Sequence, residues 1–402
     1  WIKEKVKESD NLDTMKKVRA KKNLINCDIS FNRMKNGIKA LKENDSIFES
    51  FCYMNQAMLL QQIRYNAELW EMTDKEKSRP LAIIEDRTTW PDWSQEDQIN
   101  KKLGNWRPFQ LAFILMNLTS LSSELNAKEA QEEREIVDLI WFPTGGGKTE
   151  AYFGIAAFNI FSRRLNNKND HATTVITRYT YRVLTTQQFE RTAALITSCD
   201  IIRKKNQNKL GEQPIDLGLW IGKTSSHQTI KGSIENYHAI WNEKKKNLKK
   251  PYTKEHRFPL QSCPCCRVSF FKNRTMTGLG IKKEKGGVGK KSRIEYQCPN
   301  QLCNYYKKKI PVSAIDEELY QKPPTFLIGT VDKFALLPYR KRARVFFGLN
   351  DQKIGTPPDL IIQDELHLIS GPLGSIYGIY ERLISELILK AGERKNLKPK
   401  IV

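Results

Sequence analysis

The sequence predicts an α/β protein: a parallel sheet with helices on both faces, preceded by a mostly helical region and interrupted by a cysteine-bearing insertion. Three observations predict it. From about residue 105 onward, short apolar runs of strand length alternate with segments of helical period, the pattern of a sheet buried on both sides. One run opens into three consecutive glycines that lead directly into a helix-like segment. Between about 223 and 322 the alternation stops, and a Lys-rich, glycine-studded stretch carries five of the eight cysteines.

Taken in order, residues 1–100 show helical periodicity, as in "IFESFCYMNQAMLLQQIRYNAELW", with one strand-like run, "LAIIE". A first part of the sheet domain spans 101–222. It opens with a helix at "NWRPFQLAFILMNLTSLSSEL", near Pro108, followed by a strand at "IVDLIWF", the glycines, and a helix at "TEAYFGIAAFNIFSRRL". The strand "ATTVITRY", the helix "TTQQFERTAALITSC" and the strand "IDLGLWIG" follow. The insertion occupies 223–322. A second part, 323–402, supplies strands at "TFLIGT" and "DLIIQDE", a long helix at "GSIYGIYERLISELILKA", and a final strand at "KPKIV".

Composition narrows the function. Lys and Arg number 67 against 45 Asp and Glu, a formal charge of +22, so the chain attracts polyanions and nucleic acid is the first candidate partner. The most apolar stretch, "FQLAFILMNL", is about half the roughly 20 residues a membrane span needs and contains Gln110 and Asn117, so no membrane role is expected. The charged start, "WIKEKVKESDNL", lacks a signal-peptide core and an initiator Met, which reads as an internal piece of a longer, cytoplasmic protein.

The stretch "WFPTGGGKTEAY" carries the first chemistry. Glycines after a buried strand let successive backbone N–H groups curl around an anion, and the following helix adds its own unpaired N–H groups. Thr144, Gly145, Gly146 and Gly147 would cradle the phosphates of ATP, Lys148 would reach the β- and γ-phosphates, and Thr149 would bind Mg²⁺. The strict phosphate-loop pattern is not met, because Phe142 stands where the first glycine should be. "PTGGGKT" instead resembles the variant of superfamily 2 helicases, which implies a RecA-like P-loop NTPase lobe. At the end of a later strand, "PDLIIQDELHLISG" supplies Asp364 to hold Mg²⁺ and Glu365 to orient and deprotonate the attacking water.

Further segments suggest a motor. "RPFQ", Arg107 to Gln110, resembles the superfamily element near adenine, whose edge a glutamine amide can match with one donor and one acceptor. "TYRVLTTQQ" places Arg182, Leu184 and Gln187, and "IGTVDK" places Gly329 and Thr330, as in elements that contact the sugar-phosphate backbone of DNA in the helicases they resemble. His367 stands at the "DELH" position where related motors couple the nucleotide to the second lobe. Together with "QDELHLISGPLGS", these segments resemble the DISARM helicase-subunit family, DrmA, of bacterial anti-phage defence, from about residue 50 onward. The resemblance implies an ATP-dependent motor on single-stranded DNA or duplex with an overhang, working beside a DrmB-type partner. It also implies a second lobe beyond residue 402 whose arginine fingers speed hydrolysis by roughly 10³- to 10⁵-fold, as in other phosphate-cleaving enzymes.

Cys263-x2-Cys266 and Cys298-x4-Cys303 offer four thiolates in two turn-like pairs, the donor set of a structural zinc ribbon, with Cys265 an alternative to Cys266. Between them, residues 267–297 carry nine Lys or Arg against two Glu, a net charge of +7 that suits either phosphate contact or a solvated loop. His227, His238 and His256 have no spacing that suggests a metal triad. The function expected is an ATP hydrolase and DNA helicase or translocase using ATP, Mg²⁺ and structural Zn²⁺. The alternative is a nucleotide-switched nucleic-acid sensor or scaffold that does not separate strands.

Overall fold

A computed structural model describes residues 1–80, 104–122, 128–140, 146–179, 182–223, 225–247, 257–286, 292–349, 355–365, 372–390 and 398–402. Six parallel strands form the central sheet: β1 (Val175–Tyr179), β2 (Leu217–Trp220), β5 (Val312–Ser313), β6 (Phe326–Thr330), β7 (Leu360–Gln363) and β8 (Lys400–Ile401). Their spatial order is β5-β2-β6-β1-β7-β8. A separate antiparallel hairpin, β3 (Ile281–Glu284) with β4 (Arg293–Tyr296), lies within the insertion.

The central strands are buried along their whole length because both sheet faces are covered: β1, β2 and β6 are buried at every position, with Arg178 of β1 ion-paired to Glu381. Twelve α-helices are described. The N-terminal region contributes α1 (Ile2–Ser9), α2 (Thr14–Glu43) and α3 (Asp45–Asn66); the sheet domain opens with α4 (Pro108–Leu121) and α5 (Lys128–Glu135). The glycine turn leads into α6 (Lys148–Asn166), and β1 into α7 (Arg182–Lys205) and the single turn α8 (Gln207–Leu210). The insertion opens with α9 (Ile230–Lys246). It closes with α10 (Asp316–Gln321); the single turn α11 (Val331–Phe334) follows β6, and the long α12 (Pro372–Lys390) precedes β8.

Helix α6 is buried from Ala151 to Arg164, deeper than an amphipathic helix can be, because α3 and α4 pack over it while the sheet lies beneath. Its two buried arginines point to partners. Arg163 reaches Asp170 at 2.6 Å and Asp359 at 3.3 Å, and Arg164 donates to the Gln213 and Pro214 carbonyls, both at 3.0 Å. The N-terminal helices therefore form a layer of the same body: α2 packs on α4, and α3 on α6 and α7.

Two elements depart from the sequence reading. "IVDLIWF" forms no strand over residues 136–140; the segment is tied to β8 by one backbone bond, from Asp138 N–H to the Ile401 carbonyl at 3.2 Å. Its middle is an ion site. The Asp138 carboxylate, 9% exposed, accepts from Arg33 of α2 at 2.7 and 2.8 Å and from Lys400 of β8 at 2.9 Å. The second departure is β5, a two-residue strand within the expected insertion that pairs with β2 and forms the sheet edge. "LAIIE" lies outside the described residues.

Candidate active site and cysteine cluster

In a parallel sheet, ligands gather beyond the carboxyl ends of the strands. Register places these ends together: Arg178 lies opposite Gly329 on one side and Gln363 on the other, and Tyr179 opposite Thr330. The backbone links the rim further, with Asp364 N–H donating to the Arg178 carbonyl at 3.2 Å. The start of α6 faces the same rim.

Gly146 through Thr149 are described, whereas Thr144 and Gly145 lie outside the described residues. Gly147 caps α6 in the left-handed region, at φ 89°, where a side chain is strained. A Cβ there would also sit 2.6 Å from the Gln110 amide nitrogen. That amide is engaged at both ends: its nitrogen donates to the Gly147 carbonyl at 2.8 Å, and its oxygen accepts the Arg107 N–H at 2.8 Å. The Arg107 guanidinium donates to the Gly146 carbonyl at 2.6 Å. The "RPFQ" element thus braces the glycine turn. Pro108 at the first position of α4 costs no hydrogen bond, and the fixed turn aims both side chains at the loop.

Thr149 and Asp364 meet through a residue that the sequence reading passed over. The Tyr152 hydroxyl lies 2.8 Å from Asp364 Oδ2, 3.3 Å from Thr149 Oγ1 and 3.4 Å from the Tyr179 hydroxyl. Spacing could have revealed it, since positions three apart share a helix face. Asp364 Oδ1 accepts the Glu365 N–H at 2.9 Å, and Glu365 stands in the left-handed region at φ 53°. Such a conformation costs a non-glycine residue about 1–2 kcal/mol, a strain that clusters at functional sites. Burial pushes the Asp364 carboxyl above its ordinary range, and the Glu365 charge adds to that, against the Tyr152 hydroxyl bond and the charge of Lys148. One hydroxyl and one carboxylate are hard oxygen donors, a set that fits a hydrated magnesium ion.

Glu150, one residue further along α6, is ion-paired with Arg191 of α7, whose guanidinium stacks 5.8 Å from the centres of both Tyr65 and Phe153. Arg182 and Gln187 have their backbones in α7 at the start of that helix, and their side chains lie outside the described residues, as does all of His367. Thr330 ends β6 almost fully buried, its hydroxyl without a hydrogen-bond partner among the described residues.

The four cysteines Cys263, Cys266, Cys298 and Cys303 are brought together, with all their sulfurs within 4.8 Å of one another. Cys263 and Cys303 are 3.8 Å apart, and Cys266 and Cys298 3.4 Å. Zinc–sulfur bonds of about 2.3 Å in a tetrahedron place sulfurs roughly 3.8 Å apart, so the cluster could hold such a metal. Cys265 is turned away, its thiol on Asn304 Oδ1 at 3.5 Å. Burial drives the thiols upward, yet its three sulfur neighbours and the Val268 N–H hold Cys266 well below the ordinary thiol value. Arg267 and Lys307, just past the two knuckles, take positive φ of 60° and 52°.

This module is stapled to the rest of the chain. Trp70 exchanges backbone bonds with Arg267 and Ser269, and its indole donates to the Cys266 carbonyl at 2.9 Å. Arg79 and Asn300 bond reciprocally, and the Tyr305 hydroxyl reaches Asp200 of α7 at 3.2 Å. In the basic stretch between the knuckles, the β3–β4 hairpin is described up to residue 286 and again from 292. No helix among the described residues is long and apolar enough to cross a membrane.

No protein-family profile matches the chain. It is 36% identical over 412 residues to the DISARM protein DrmA of Bacillus paralicheniformis, an alignment covering 94% of this chain and 34% of that protein. The chain spans about a third of the length of the curated relative it matches. Over that third, built on an all-parallel sheet with a four-cysteine cluster beside it, the chain is a homologue of the DISARM protein DrmA.

Proposed function

We propose that this chain is the first, RecA-like lobe of an ATP-dependent DNA helicase or translocase of the superfamily 2 type that acts in DISARM anti-phage defence beside a DrmB-type partner. The observation that carries the reading is the convergence of the glycine turn and the acidic strand end: Thr149 and Asp364 share one tyrosine hydroxyl. Gly146, Gly147 and the first N–H groups of α6 would hold the phosphates, with Thr144 and Gly145 completing the loop and Lys148 reaching the β- and γ-phosphates. Magnesium, held by Thr149 and Asp364, would neutralise phosphate charge. Glu365 would orient water and take its proton as the oxygen attacks the γ-phosphorus and the bond to the β-phosphate breaks, releasing ADP. Arg107 and Gln110 contribute by bracing the turn.

Arg182 and Gln187 are the proposed contacts to the DNA backbone, the burial of Thr330 leaving it out of reach of DNA in this arrangement, and Cys263, Cys266, Cys298 and Cys303 the ligands of a closed, structural zinc. The charge of +22 supports a polyanionic track. The test is fluorescent-ATP binding by residues 1–402, with Lys148→Ala and Glu365→Gln beside the wild type. Binding that Lys148→Ala weakens at least tenfold, with slow hydrolysis that Glu365→Gln abolishes, is expected. Absent nucleotide binding would sink the reading. Because arginine fingers are expected on the second lobe, this chain alone should turn ATP over slowly even with DNA, and brisk DNA-stimulated turnover would contradict that assignment.

A further inference from the structure

Tyr152 is buried to 4% exposure one turn into α6, yet its hydroxyl sits at the centre of the nucleotide rim. Helices bury tyrosines for their rings, and this ring does pack edge-on against Phe153 with centroids 5.2 Å apart. The hydroxyl has another setting. A phenol carries one proton, and of its three oxygen neighbours the Asp364 carboxylate is the nearest, at 2.8 Å, and the only one that bears charge, so it receives the proton. Thr149 and Tyr179 then lie against the lone pairs of the same phenol oxygen, at 3.3 and 3.4 Å.

The Asp364 carboxylate is therefore held at both ends: Oδ1 by the Glu365 N–H at 2.9 Å and Oδ2 by the phenol. An ionised carboxylate offers about four lone-pair sites, so two remain after these bonds, with the plane of the group already set. Neither anchor comes from the strand that carries Asp364. One depends on the strained turn at Glu365, the other on a helix that begins at the glycine loop. The phenol thus ties the orientation of the acidic strand end to the position of α6.

We propose that Tyr152 is a positioning residue that fixes Asp364, and through the shared hydroxyl Thr149, in the arrangement that receives the magnesium ion of a bound nucleotide. The inference rests on the nucleotide-binding reading above. Partners that orient metal ligands are worth roughly 10- to 100-fold in metal affinity, whereas the phosphate-binding backbone does not need them. Loss of the phenolic hydroxyl should accordingly weaken the response to magnesium and spare binding of the free nucleotide.

The experiment is a fluorescent-ATP titration of the full 402-residue chain, first in EDTA and then with increasing MgCl₂ at fixed nucleotide, for wild type, Tyr152→Phe and Tyr179→Phe. Tyr152→Phe should raise the half-saturating magnesium concentration about tenfold and leave the affinity in EDTA within twofold. Tyr179→Phe, which removes a hydroxyl touching the phenol but not Asp364, should shift it about two- to threefold. An unchanged magnesium response in Tyr152→Phe overturns the proposal, as does an equal loss with and without magnesium, which would mark a packing defect. Should Tyr152→Phe unfold at the assay temperature, Tyr179→Phe decides alone, and no shift there counts against the proposal. A wild type that fails to bind nucleotide would refute the underlying reading instead, so the two failures are distinguishable.

Discussion

Asp138→Asn isolates what holds the segment before the glycine loop. Asp138 lies between two cations, Arg33 at 2.7 and 2.8 Å and Lys400 at 2.9 Å, with side-chain exposures of 9%, 6% and 0%. Asparagine keeps the shape but removes the carboxylate that bonds both of them. Breaking a buried ion pair by neutralising one partner costs about 3–5 kcal/mol, because the remaining charge stays desolvated. Carbonyls soften the loss: Arg33 keeps Met116 at 3.1 Å, and Lys400 keeps Glu133 at 2.9 Å and Ile136 at 2.5 Å. The low end, about 3 kcal/mol, is therefore expected, a drop in thermal midpoint on the order of 4 °C for a chain of 402 residues. Circular dichroism melts of both proteins give the number. A midpoint lowered by less than about 2 °C would show that Asp138 is not what joins α2 to β8. The pH profile supplies a second check. Burial raises the Asp138 pKa, but Arg33 and Lys400 prevail and hold it below the ordinary value of 3.8. Its contribution is thus complete above about pH 4 and lost as pH falls through the depressed value, so wild type and variant should converge only in strong acid.

Three further outcomes are expected. Gly147→Ala forces a side chain into the left-handed region and against the Gln110 amide, so nucleotide affinity in the fluorescence titration should fall at least tenfold while the melt shifts by only about 1–2 kcal/mol. Elemental analysis should find one zinc per chain, retained in Cys265→Ser and lost in Cys298→Ser, since only the latter sulfur belongs to the cluster. Burial, and after it the charge of Arg257, lowers the His227 pKa to about 4; its neutral form is favoured, so stability falls as pH drops from about 6.5 toward 4, by a few kcal/mol at most. His227→Gln should flatten that limb of an acid melt series.

The strands β1, β2, β6 and β7 were legible because burial on both faces leaves short runs rich in apolar and β-branched residues, and the cysteine quartet because ligand spacing is local. What was illegible depends on residues far apart in sequence. In "IVDLIWF" a lone aspartate reads as a minor flaw in a strand, and only the approach of Arg33 and Lys400 reveals it as an ion site. Two-residue β5 is too short to show any period, and it is a strand only because β2 offers it an edge. The four glycine-loop and acidic positions Lys148, Thr149, Asp364 and Glu365 carried a motif, whereas Tyr152 carried only a spacing. Nothing local in "RPFQ" announced that Gln110 would have both amide ends engaged beside Gly147.

The node at Asp138 also sets an order of events during synthesis. Arg33 leaves the ribosome long before its partner, and Lys400, whose ammonium reaches back to a carbonyl 267 positions earlier, emerges last. Until then, the Arg33–Asp138 pair lacks its third member, and contacts closed over such long separations form slowly. The joining of α2, the segment at Asp138 and β8 should therefore come late, which leaves a window in which chaperones can act on the chain.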